Sequence, residues 1–531
     1  MVKPSQWHNF KKRFINLAEL GISIDTSMMK RTENITPSME KLFDRAFQNI
    51  EELEKGSIAN TDEDKMVGHY WLRQPSLAPS PEIKKKIETT IKNIKRFSSE
   101  IHNRKIKPQK YSAFQNLLLI GIGGSVLGAQ LLQNALIFEK DCMKFYFLDN
   151  TDPDGIDLTL KKIGNKLDRT LTLIISKSGK TTETRNTMLE VRQTYLNLGL
   201  DFTKHAVAVT LEDSQLCKMA KNESWLECFP IWDWVGGRTS IFSAVGLLPA
   251  ALLGIKINKL LEGAKKMDKL TRCSKVEHNP AAVMAWMWYI AGEGKGKKDM
   301  VILPYKDRLI FLCRYLQQLI MESLGKQKNF EGEIINHGMT VYGNKGSTDQ
   351  HALLQQLMEG PANFFVTFVE VLKDRESSSI DVEKGIKSGD FLQAFLIGTQ
   401  NVLSQKGHQS ICITIEEVNT ETLASLIALY ERAVGIYAFL IGINAYNQPG
   451  VEAGKKLTKG IIKLFLKIQN HLQSNPEEQF TASELSDAIG NKESIETVFR
   501  ILLRLSKNGR VKKIHHKNIF YCRFKANKNF F

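Results

Sequence analysis

The sequence predicts an α/β protein with two doubly wound parallel sheets, many helices, and a small winged-helix-like α+β module at the C-terminal end. Two observations carry this prediction. Apolar segments of strand length alternate with helical stretches in two successive blocks, which is typical of parallel sheets with helices on both faces. The length of 531 residues and the composition, 42% hydrophobic and 24% charged, indicate a globular chain of two or three domains.

The strands of the two predicted sheets lie in separate parts of the chain. A mainly helical region, 1–107, precedes both sheets and is interrupted by a proline-rich segment at 75–81. We predict the strands of the first sheet at 117–120, 144–148, 171–175 and 205–210. We predict those of the second sheet at 300–304, 364–371 and 410–415, with long helices at 308–326 and 420–447.

Four regions follow from these segments. We expect a helical region that packs with the second sheet domain, a first sheet domain that holds a phosphate-binding turn, a second sheet domain with its C-terminal helices, and a basic tail. Their predicted bounds are 1–107, 108–290, 291–470 and 471–531.

The tail carries much of the net charge of +16. From Arg500 to Phe531 there are ten Lys or Arg and no Asp or Glu. A short helix, a turn at Gly490, a longer helix and a two-stranded wing are predicted there, an order that resembles a winged helix. Two interpretations stay open: binding of DNA or RNA through phosphate contacts, and a vestigial or protein-docking appendage.

Composition excludes several other classes of protein. The seven cysteines include no C-x-x-C pair, so we predict neither a zinc site nor a disulfide framework. The first residues contain no apolar run of signal-peptide type, and the apolar stretch 241–255 is too short to span a membrane. We therefore expect a cytoplasmic protein with no metal and no membrane partner.

A hydroxyl-rich turn follows the predicted strand 171–175. Short hydroxyl groups, a glycine that lets backbone N–H groups approach an anion, and the positive end of the next helix are the features of a phosphate site. The residues of this candidate site are Ser176, Lys177, Ser178, Gly179, Lys180 and Thr181. The alternative is an ordinary helix-capping loop, because Ser and Thr also cap helices.

A second, glycine-rich turn follows the strand 117–120. It is not a Walker A loop or a dinucleotide fingerprint, since Ile174 and Val126 stand where those motifs need glycine. Gly124 would allow close approach of a ligand, and Ser125 would supply a donor. The ligand class that both turns indicate is a phosphorylated small molecule.

Four side chains elsewhere could carry proton-transfer or charge-stabilising chemistry. Glu322 lies four residues after Gln318, so a helix places both on one face. His351 opens a helix, Arg238 follows paired glycines, and Lys455 lies after a glycine-bearing turn. For each of them taken alone, an ordinary surface or capping role is the competing interpretation.

Six motifs occur in one order along the chain. They are G-I-G-G-S at 121–125, S-K-S-G-K-T-T-E at 176–183, V-G-G-R-T-S at 235–240, Q-Q-L-I-M-E-S at 317–323, D-Q-H-A at 349–352 and N-Q-P-G-V-E-A-G-K at 447–455. This set resembles the glucose-6-phosphate isomerase family, also called phosphoglucose isomerase. G-H-Y-W-L-R at 68–73 resembles a bacterial branch of that family, and the resemblance covers about residues 1–470.

The resemblance implies two sugar-isomerase (SIS-type) domains and reversible isomerisation of D-glucose 6-phosphate and D-fructose 6-phosphate, without a metal or organic cofactor. Glu322 matches the base that shuttles a proton through a cis-enediolate, and Arg238 the cation that stabilises it. His351 matches a ring-opening histidine that reaches the site from the partner subunit of a homodimer, and Lys455 a lysine near the ring oxygen. The remaining matches would bind substrate, mainly its phosphate: Gly124, Ser125, Ser176, Lys177, Ser178, Gly179, Lys180, Thr181 and Gln318.

Two departures from the family and two competing functions stay open. Lys180 stands where many relatives have Thr, and it could contact phosphate or point to solvent. Thr239 stands where animal members have an aromatic residue. A non-catalytic sugar-phosphate sensor would need the phosphate turn but not the four catalytic matches together, so an enzyme is favoured. An isomerase acting on another sugar, such as mannose 6-phosphate, is the third possibility.

Overall fold

The first sheet contains five parallel strands in a computed structural model that describes residues 4–30, 35–136, 143–491 and 494–527. In spatial order the strands are Lys144–Leu148, Asn116–Ile120, Thr170–Ile175, Ala206–Thr210 and Glu227–Pro230. The chain starts inside the sheet and builds outward in both directions, so the sheet is doubly wound as predicted.

Both faces of this sheet are covered. Leu117 and Leu119 belong to one hydrophobic core, whereas Leu118 and Ile120, which point to the opposite face, belong to another. A parallel strand buried on both faces reads as a continuous apolar run, which is why the sequence N-L-L-L-I forms a strand here.

The second sheet is parallel in its central part and antiparallel at one edge. Its strands, in spatial order, are Phe14–Leu17, Ile22–Asp25, Gln409–Ile415, Phe364–Val371, Asp299–Pro304 and Val341–Tyr342. The last four run parallel, and the first two form an antiparallel hairpin that pairs with Gln409–Ile415. The N-terminal region predicted as helical therefore also contributes two strands. They were missed because each is only four residues long.

Helices surround the two sheets and fill the space between them. In chain order the α-helices up to residue 447 are Pro4–Arg13, Pro37–Glu54, Pro81–His102, Leu127–Leu136, Pro153–Ile163, Thr182–Asn197, Gln215–Asn222, Ala244–Leu252, Ile257–Leu270, Pro280–Gly292, Ile310–Leu324, Leu353–Glu359, Ser388–Gln405 and Thr420–Leu440. Two-stranded pairs at Lys326–Lys328 with Ile334–His337 and at Asp381–Glu383 with Ile386–Lys387 complete this part of the chain.

The helix Thr420–Leu440 is the centre of the larger core. By length and composition this helix could cross a membrane, as no other helix in the described part of the chain could. However, 94% of its most apolar segment is buried inside the protein. Gly263 allows the neighbouring helix to approach closely, because a Cβ there would lie 2.3 Å from the carbonyl oxygen of Glu421. The Ser425 hydroxyl donates to the Gly263 carbonyl at 2.9 Å. This helix is therefore a core element of the fold.

Residues Gln448–Phe531 form a separate unit with its own core. Its helices are Pro449–Ser474, Ala482–Ala488 and Ile495–Lys507, and its strands Val511–Ile514 and Arg523–Ala526 pair antiparallel. The sequence-predicted short helix, longer helix and two-stranded element are all present. Assignment of this unit to the winged-helix fold stays a prediction, as do the predicted domain boundaries.

Candidate active site

Two turns meet at the point where the strand order of the first sheet reverses. The glycine-rich turn follows Asn116–Ile120 and the hydroxyl-rich turn follows Thr170–Ile175. These two strands are parallel neighbours, and the sheet is extended from them in opposite directions. In doubly wound sheets, a crevice for ligands forms outside the carboxyl ends of the strands at this position. The fold therefore brings both sequence-predicted anion turns to one place.

The hydroxyl-rich turn is held by its own side chains. The Ser176 hydroxyl donates to the Thr181 hydroxyl at 3.1 Å, and the Ser178 hydroxyl accepts from the backbone N–H of Lys180 at 3.2 Å. Gly179 has a φ of +64°, a conformation that favours glycine. The helix Thr182–Asn197 begins directly after the turn, so its free N–H groups and positive end face this position. Lys180 is exposed.

Lys177 joins the turn to the segment that leads to Arg238. Its Nζ donates to the carbonyl oxygens of Asp233 at 2.9 Å and Val235 at 2.8 Å. Burial and, to a lesser extent, the nearby Lys65 lower the pKa of Lys177 to about 8. The side chain thus ties two loops together and keeps a titratable amine beside the hydroxyl-rich turn.

The glycine-rich turn packs directly on the turn that carries Arg238. A Cβ at Gly124 would lie 2.1 Å from the carbonyl oxygen of Gly237, so a side chain cannot be placed there without moving the backbone. The Ser240 hydroxyl donates to the Gly124 carbonyl at 3.2 Å. Ser125 is the last residue of the short 3₁₀ helix Gly123–Ser125, which makes this contact.

The helix Ile310–Leu324 brings Gln318 and Glu322 to these turns. An apolar stripe that includes Leu312 and Leu316 buries the opposite face of the helix and fixes its rotation. The Gln318 Nε2 lies 3.0 Å from where a Cβ of Gly123 would be. The Glu322 Oε2 lies 3.6 Å from the Arg238 Nη1. The predicted carboxylate is therefore close to the predicted anion turns.

Arg238 is buried and only partly paired. The exposed fraction is 4% for its side chain and 17% for that of Glu322. Its Nη2 donates to the Asn447 carbonyl at 2.8 Å, whereas its Nη1 has no hydrogen-bond partner within the described part of the chain. Burial lowers the pKa of Arg238, and the charge of Glu322 partly offsets this effect. A buried guanidinium with an unused N–H edge is prepared to bind an anionic oxygen.

Two further residues at this site were missed by the sequence prediction. Lys326 is buried and its Nζ donates to the carbonyl oxygens of Glu322 at 2.8 Å and Asn447 at 3.0 Å. Asp62 accepts from the side-chain amides of Asn444, at 2.7 Å, and Asn447. No spacing or motif distinguishes a single Lys or Asp of this kind from surface residues, so only the fold reveals them.

Two predicted catalytic residues are not joined to this cluster by any contact that the structure describes. His351 is exposed at the end of the 3₁₀ helix Thr348–His351, and no hydrogen bond links it to Glu322 or Arg238 among residues 4–30, 35–136, 143–491 and 494–527. Lys455 lies in the helix Pro449–Ser474, but its side chain is outside the described residues. Within the described chain no group of three or more His, Cys, Asp or Glu is arranged to hold a metal ion.

Comparison with known proteins gives one consistent result. The family model for phosphoglucose isomerase matches residues 25–483. The chain is 53% identical over 508 residues to a glucose-6-phosphate isomerase of Desulfitobacterium hafniense strain Y51, covering 96% of this chain and 95% of that protein. It is 52% identical to a glucose-6-phosphate isomerase of Geotalea daltonii, with 96% of each chain covered.

Solved structures agree with the sequence comparison. The crystal structure of a glucose-6-phosphate isomerase from Chlamydia trachomatis is similar with a TM-score of 0.77 and 25% identity, over 86% of this chain and 91% of that one. A hypothetical protein from Thermus thermophilus is similar with a TM-score of 0.66 and 26% identity, over 83% and 99% of the respective chains. These likenesses confirm the predicted α/β fold with its parallel sheets.

Proposed function

The chain belongs to the phosphoglucose isomerase family and interconverts D-glucose 6-phosphate and D-fructose 6-phosphate, and we propose that Glu322 and Arg238 carry the proton transfer of this reaction. The reaction is a step of glycolysis and gluconeogenesis. The single observation that supports the proposed roles is the distance of 3.6 Å between the Glu322 carboxylate and a buried, partly unpaired guanidinium at the mouth of two anion-binding turns.

Glu322 acts as the proton carrier. In the open-chain aldose, its carboxylate removes the proton from C2, and the electron pair of the broken C–H bond forms the C1–C2 double bond of a cis-enediolate. The hydroxyl proton moves from O2 to O1, and the carboxylic acid of Glu322 then delivers the same proton, or one exchanged with water, to C1 as the C2 carbonyl of the ketose forms. Proton transfer by a positioned carboxylate typically contributes about 10² to 10⁴ in rate.

Arg238 stabilises the negative charge that develops during this transfer. Its Nη1 has no hydrogen-bond partner among the described groups and lies beside Glu322, so an enediolate oxygen that accepts from Nη1 would gain a fixed cation. A preorganised donor in a site with little water is effective because it needs no reorganisation when the charge forms.

The phosphate end of the substrate binds at the strand-order reversal. The hydroxyl groups of Ser176 and Thr181, the backbone around Gly179 and the start of the helix Thr182–Asn197 form the anion site. Ser125, Gly124, Ser178, Lys180 and Gln318 stay predicted substrate contacts. Lys177 lies within the same site, where its amine is already used by two backbone carbonyls.

His351 and Lys455 complete the proposed catalytic set, and His351 does so through a homodimer. In this proposal the partner subunit supplies its ring-opening histidine, because His351 in its own chain is exposed and separate from Glu322 within the described structure. Analytical ultracentrifugation tests the dimer. Mixing inactive Glu322→Gln chains with inactive His351→Ala chains tests the shared site, since mixed dimers would regain activity at one of their two sites.

A coupled assay tests the catalytic assignment directly. Wild-type protein should form glucose 6-phosphate from fructose 6-phosphate, and Glu322→Gln should lower kcat by about 10² to 10⁴. The matched control is Glu331→Gln, since Glu331 is an exposed carboxylate that follows soon after in the sequence. A Glu322→Gln variant with wild-type activity would refute the assignment of the base.

For the basic tail we propose nucleic-acid binding as a second, separate activity. The helix Ile495–Lys507 uses Val498 and Leu502 in the core of its unit and leaves Arg500 and Arg504 exposed. Phe520 and Tyr521, in the turn between the two strands, are exposed by 68% and 62%, and exposed aromatic rings suit base stacking. The family model ends at 483, before these features.

Anisotropy of a labelled single-stranded oligonucleotide tests this second activity. Binding should weaken as salt is raised, and an Arg500→Glu, Arg504→Glu double variant should reduce it without changing isomerase kcat. The absence of binding by the intact chain at low salt would reject the proposal and favour the protein-docking alternative.

We also propose a cytoplasmic location, which cell fractionation would test.

A further inference from the structure

Lys326 is a buried lysine whose hydrogen bonds within the described chain go to backbone carbonyls. It begins the short strand Lys326–Lys328, directly after the helix that carries Glu322. Its Nζ donates to the Glu322 carbonyl at 2.8 Å and to the Asn447 carbonyl at 3.0 Å. A side chain of this kind seldom stays buried without a specific partner, because burial of an amine has a cost.

The first of these carbonyls belongs to the last turn of the helix Ile310–Leu324. The last four carbonyl groups of a helix have no partner within the helix and fray unless another group binds them. Lys326 supplies that partner for Glu322 itself. The backbone from which the catalytic carboxylate projects is therefore fixed by the lysine.

The second carbonyl is shared with the catalytic cation. The Asn447 carbonyl accepts from Arg238 Nη2 at 2.8 Å as well as from Lys326. The segment that carries this carbonyl is held from the other side by Asp62, which accepts from the amides of Asn444 and Asn447. With Nη2 held in this way, the unpaired Nη1 of Arg238 stays near Glu322.

We propose that Lys326 is a positioning residue for the isomerase reaction: it holds the backbone of Glu322 and the shared acceptor of Arg238 in one arrangement. The inference rests on the proposed roles of those two side chains. Lys326 does not contact the substrate in this proposal, and the phosphate site at 176–181 does not depend on it.

The charge of Lys326 fits this role. Burial and, to a lesser extent, the nearby Arg238 lower the pKa of Lys326 to about 7, although the charges of Glu322 and Asp62 oppose this effect. His337, on the paired strand, has its two ring nitrogens within hydrogen-bond distance of the Leu324 carbonyl and the Tyr437 hydroxyl. A neutral amine has two N–H donors, which matches the two carbonyls, and it adds no permanent charge beside Arg238.

The test compares Lys326→Met with the matched control Lys328→Met, which removes an exposed lysine from the same strand. For each variant we would measure kcat, the KM for fructose 6-phosphate and the inhibition constant of inorganic phosphate. Lys326→Met should lower kcat by about 10- to 100-fold, since displacement of catalytic groups by about 1 Å has effects of this size. Its phosphate inhibition constant should stay within about twofold of wild type, because the phosphate turn is intact.

Two results would overturn the inference: a kcat of Lys326→Met equal to that of Lys328→Met, or an equal loss of kcat and phosphate binding in a folded variant. If Lys326→Met does not fold, Lys326→Arg decides, because the larger, planar guanidinium cannot place a nitrogen where the compact lysine amine donates to both carbonyls. Its kcat should fall about tenfold, and an unchanged kcat would also overturn the inference. A Glu322→Gln variant measured in parallel separates the two proposals, since its full activity would reject the proposed base, whatever the Lys326 result.

Discussion

Two buried arginines of this protein differ in how completely they are paired. Arg73 donates to Asp268 through Nε at 2.6 Å and Nη2 at 2.9 Å, and to Glu431 through Nη1, with all three side chains fully buried. Burial alone would lower the pKa of Arg73, but Asp268 and Glu431 raise it above its usual value. Arg238 has one carboxylate at 3.6 Å and a lowered pKa.

The difference is what we expect between a structural cation, Arg73, and the proposed functional cation, Arg238. Every N–H edge of the Arg73 guanidinium points at a carboxylate of its own chain, and the cluster extends through Arg432 to Glu54. In the Arg238 guanidinium, by contrast, Nη1 has no hydrogen-bond acceptor among the described residues. A buried charge left incompletely paired lowers stability unless a ligand completes it, so such a site indicates binding.

The largest effect is expected at the fully paired arginine. Arg73→Met leaves Glu431 buried without its hydrogen-bonded cation and Asp268 with Arg432 alone, so the free energy of unfolding should fall by about 3–5 kcal/mol. Urea denaturation measures this change. The kcat of the molecules that remain folded should stay near wild type. A loss below about 1 kcal/mol would show that the cluster is not the structural element described here.

Arg238→Met should have the opposite profile. Removal of the cation beside the developing enediolate should lower kcat by about 10² to 10³, in the range found for loss of one oxyanion donor. The free energy of unfolding should not fall, because the substitution removes a buried charge that the chain itself pairs poorly. Steady-state kinetics and urea denaturation of the same preparation check both parts. Strong destabilisation with unchanged kcat would reverse the comparison.

A smaller effect concerns Lys326, the buried lysine whose amine donates to the Glu322 and Asn447 carbonyls. The pKa is about 7 in the folded chain and near 10.5 when unfolded, so between these values the unfolded chain binds more protons. Stability should therefore rise with pH from about 7 toward 10.5, by on the order of 1 kcal/mol per pH unit. Denaturation of wild type and Lys326→Met at pH 7 and 8.5 measures the difference in slope, and equal slopes would argue against a depressed lysine.

The smallest effect is expected at an exposed arginine. Arg96 contacts Glu100 at 2.7 Å and Glu227 at 2.9 Å, and its side chain is about half exposed. Arg96→Met should change the free energy of unfolding by less than about 1 kcal/mol, because solvent screens such pairs. Neither kcat nor KM should change. A large loss of stability would mean that pairing geometry outweighs burial in this protein.

Sequence reasoning predicted the elements whose signal is local. The strands at 144–148 and 364–371 have the predicted bounds because each is a short apolar run between turns. The helix predicted at 420–447 ends at Leu440, where Gly442 with a φ of +69° stops it. The edge strands Glu227–Pro230 and Val341–Tyr342 were missed, because their four and two residues carry no periodic signal.

The site was predictable where a motif lies on one element. Gln318 and Glu322 share a helix face, so a spacing of four was enough to relate them. The contacts among Asp62, Asn447 and Lys326 join parts of the chain that are separated by 121 or more residues. No local pattern connects such residues, since only the packed fold brings their donors and acceptors together.

Solvent hydrogen exchange tests the central claim, that Glu322 beside Arg238 carries hydrogen between C1 and C2. Fructose 6-phosphate would be incubated in D₂O with wild type, Glu322→Gln or Glu331→Gln, and deuterium in the hexose phosphates measured by mass spectrometry. We predict incorporation with wild type and Glu331→Gln and none above background with Glu322→Gln, while inorganic phosphate still binds all three. Incorporation by Glu322→Gln at the wild-type rate would contradict the claim.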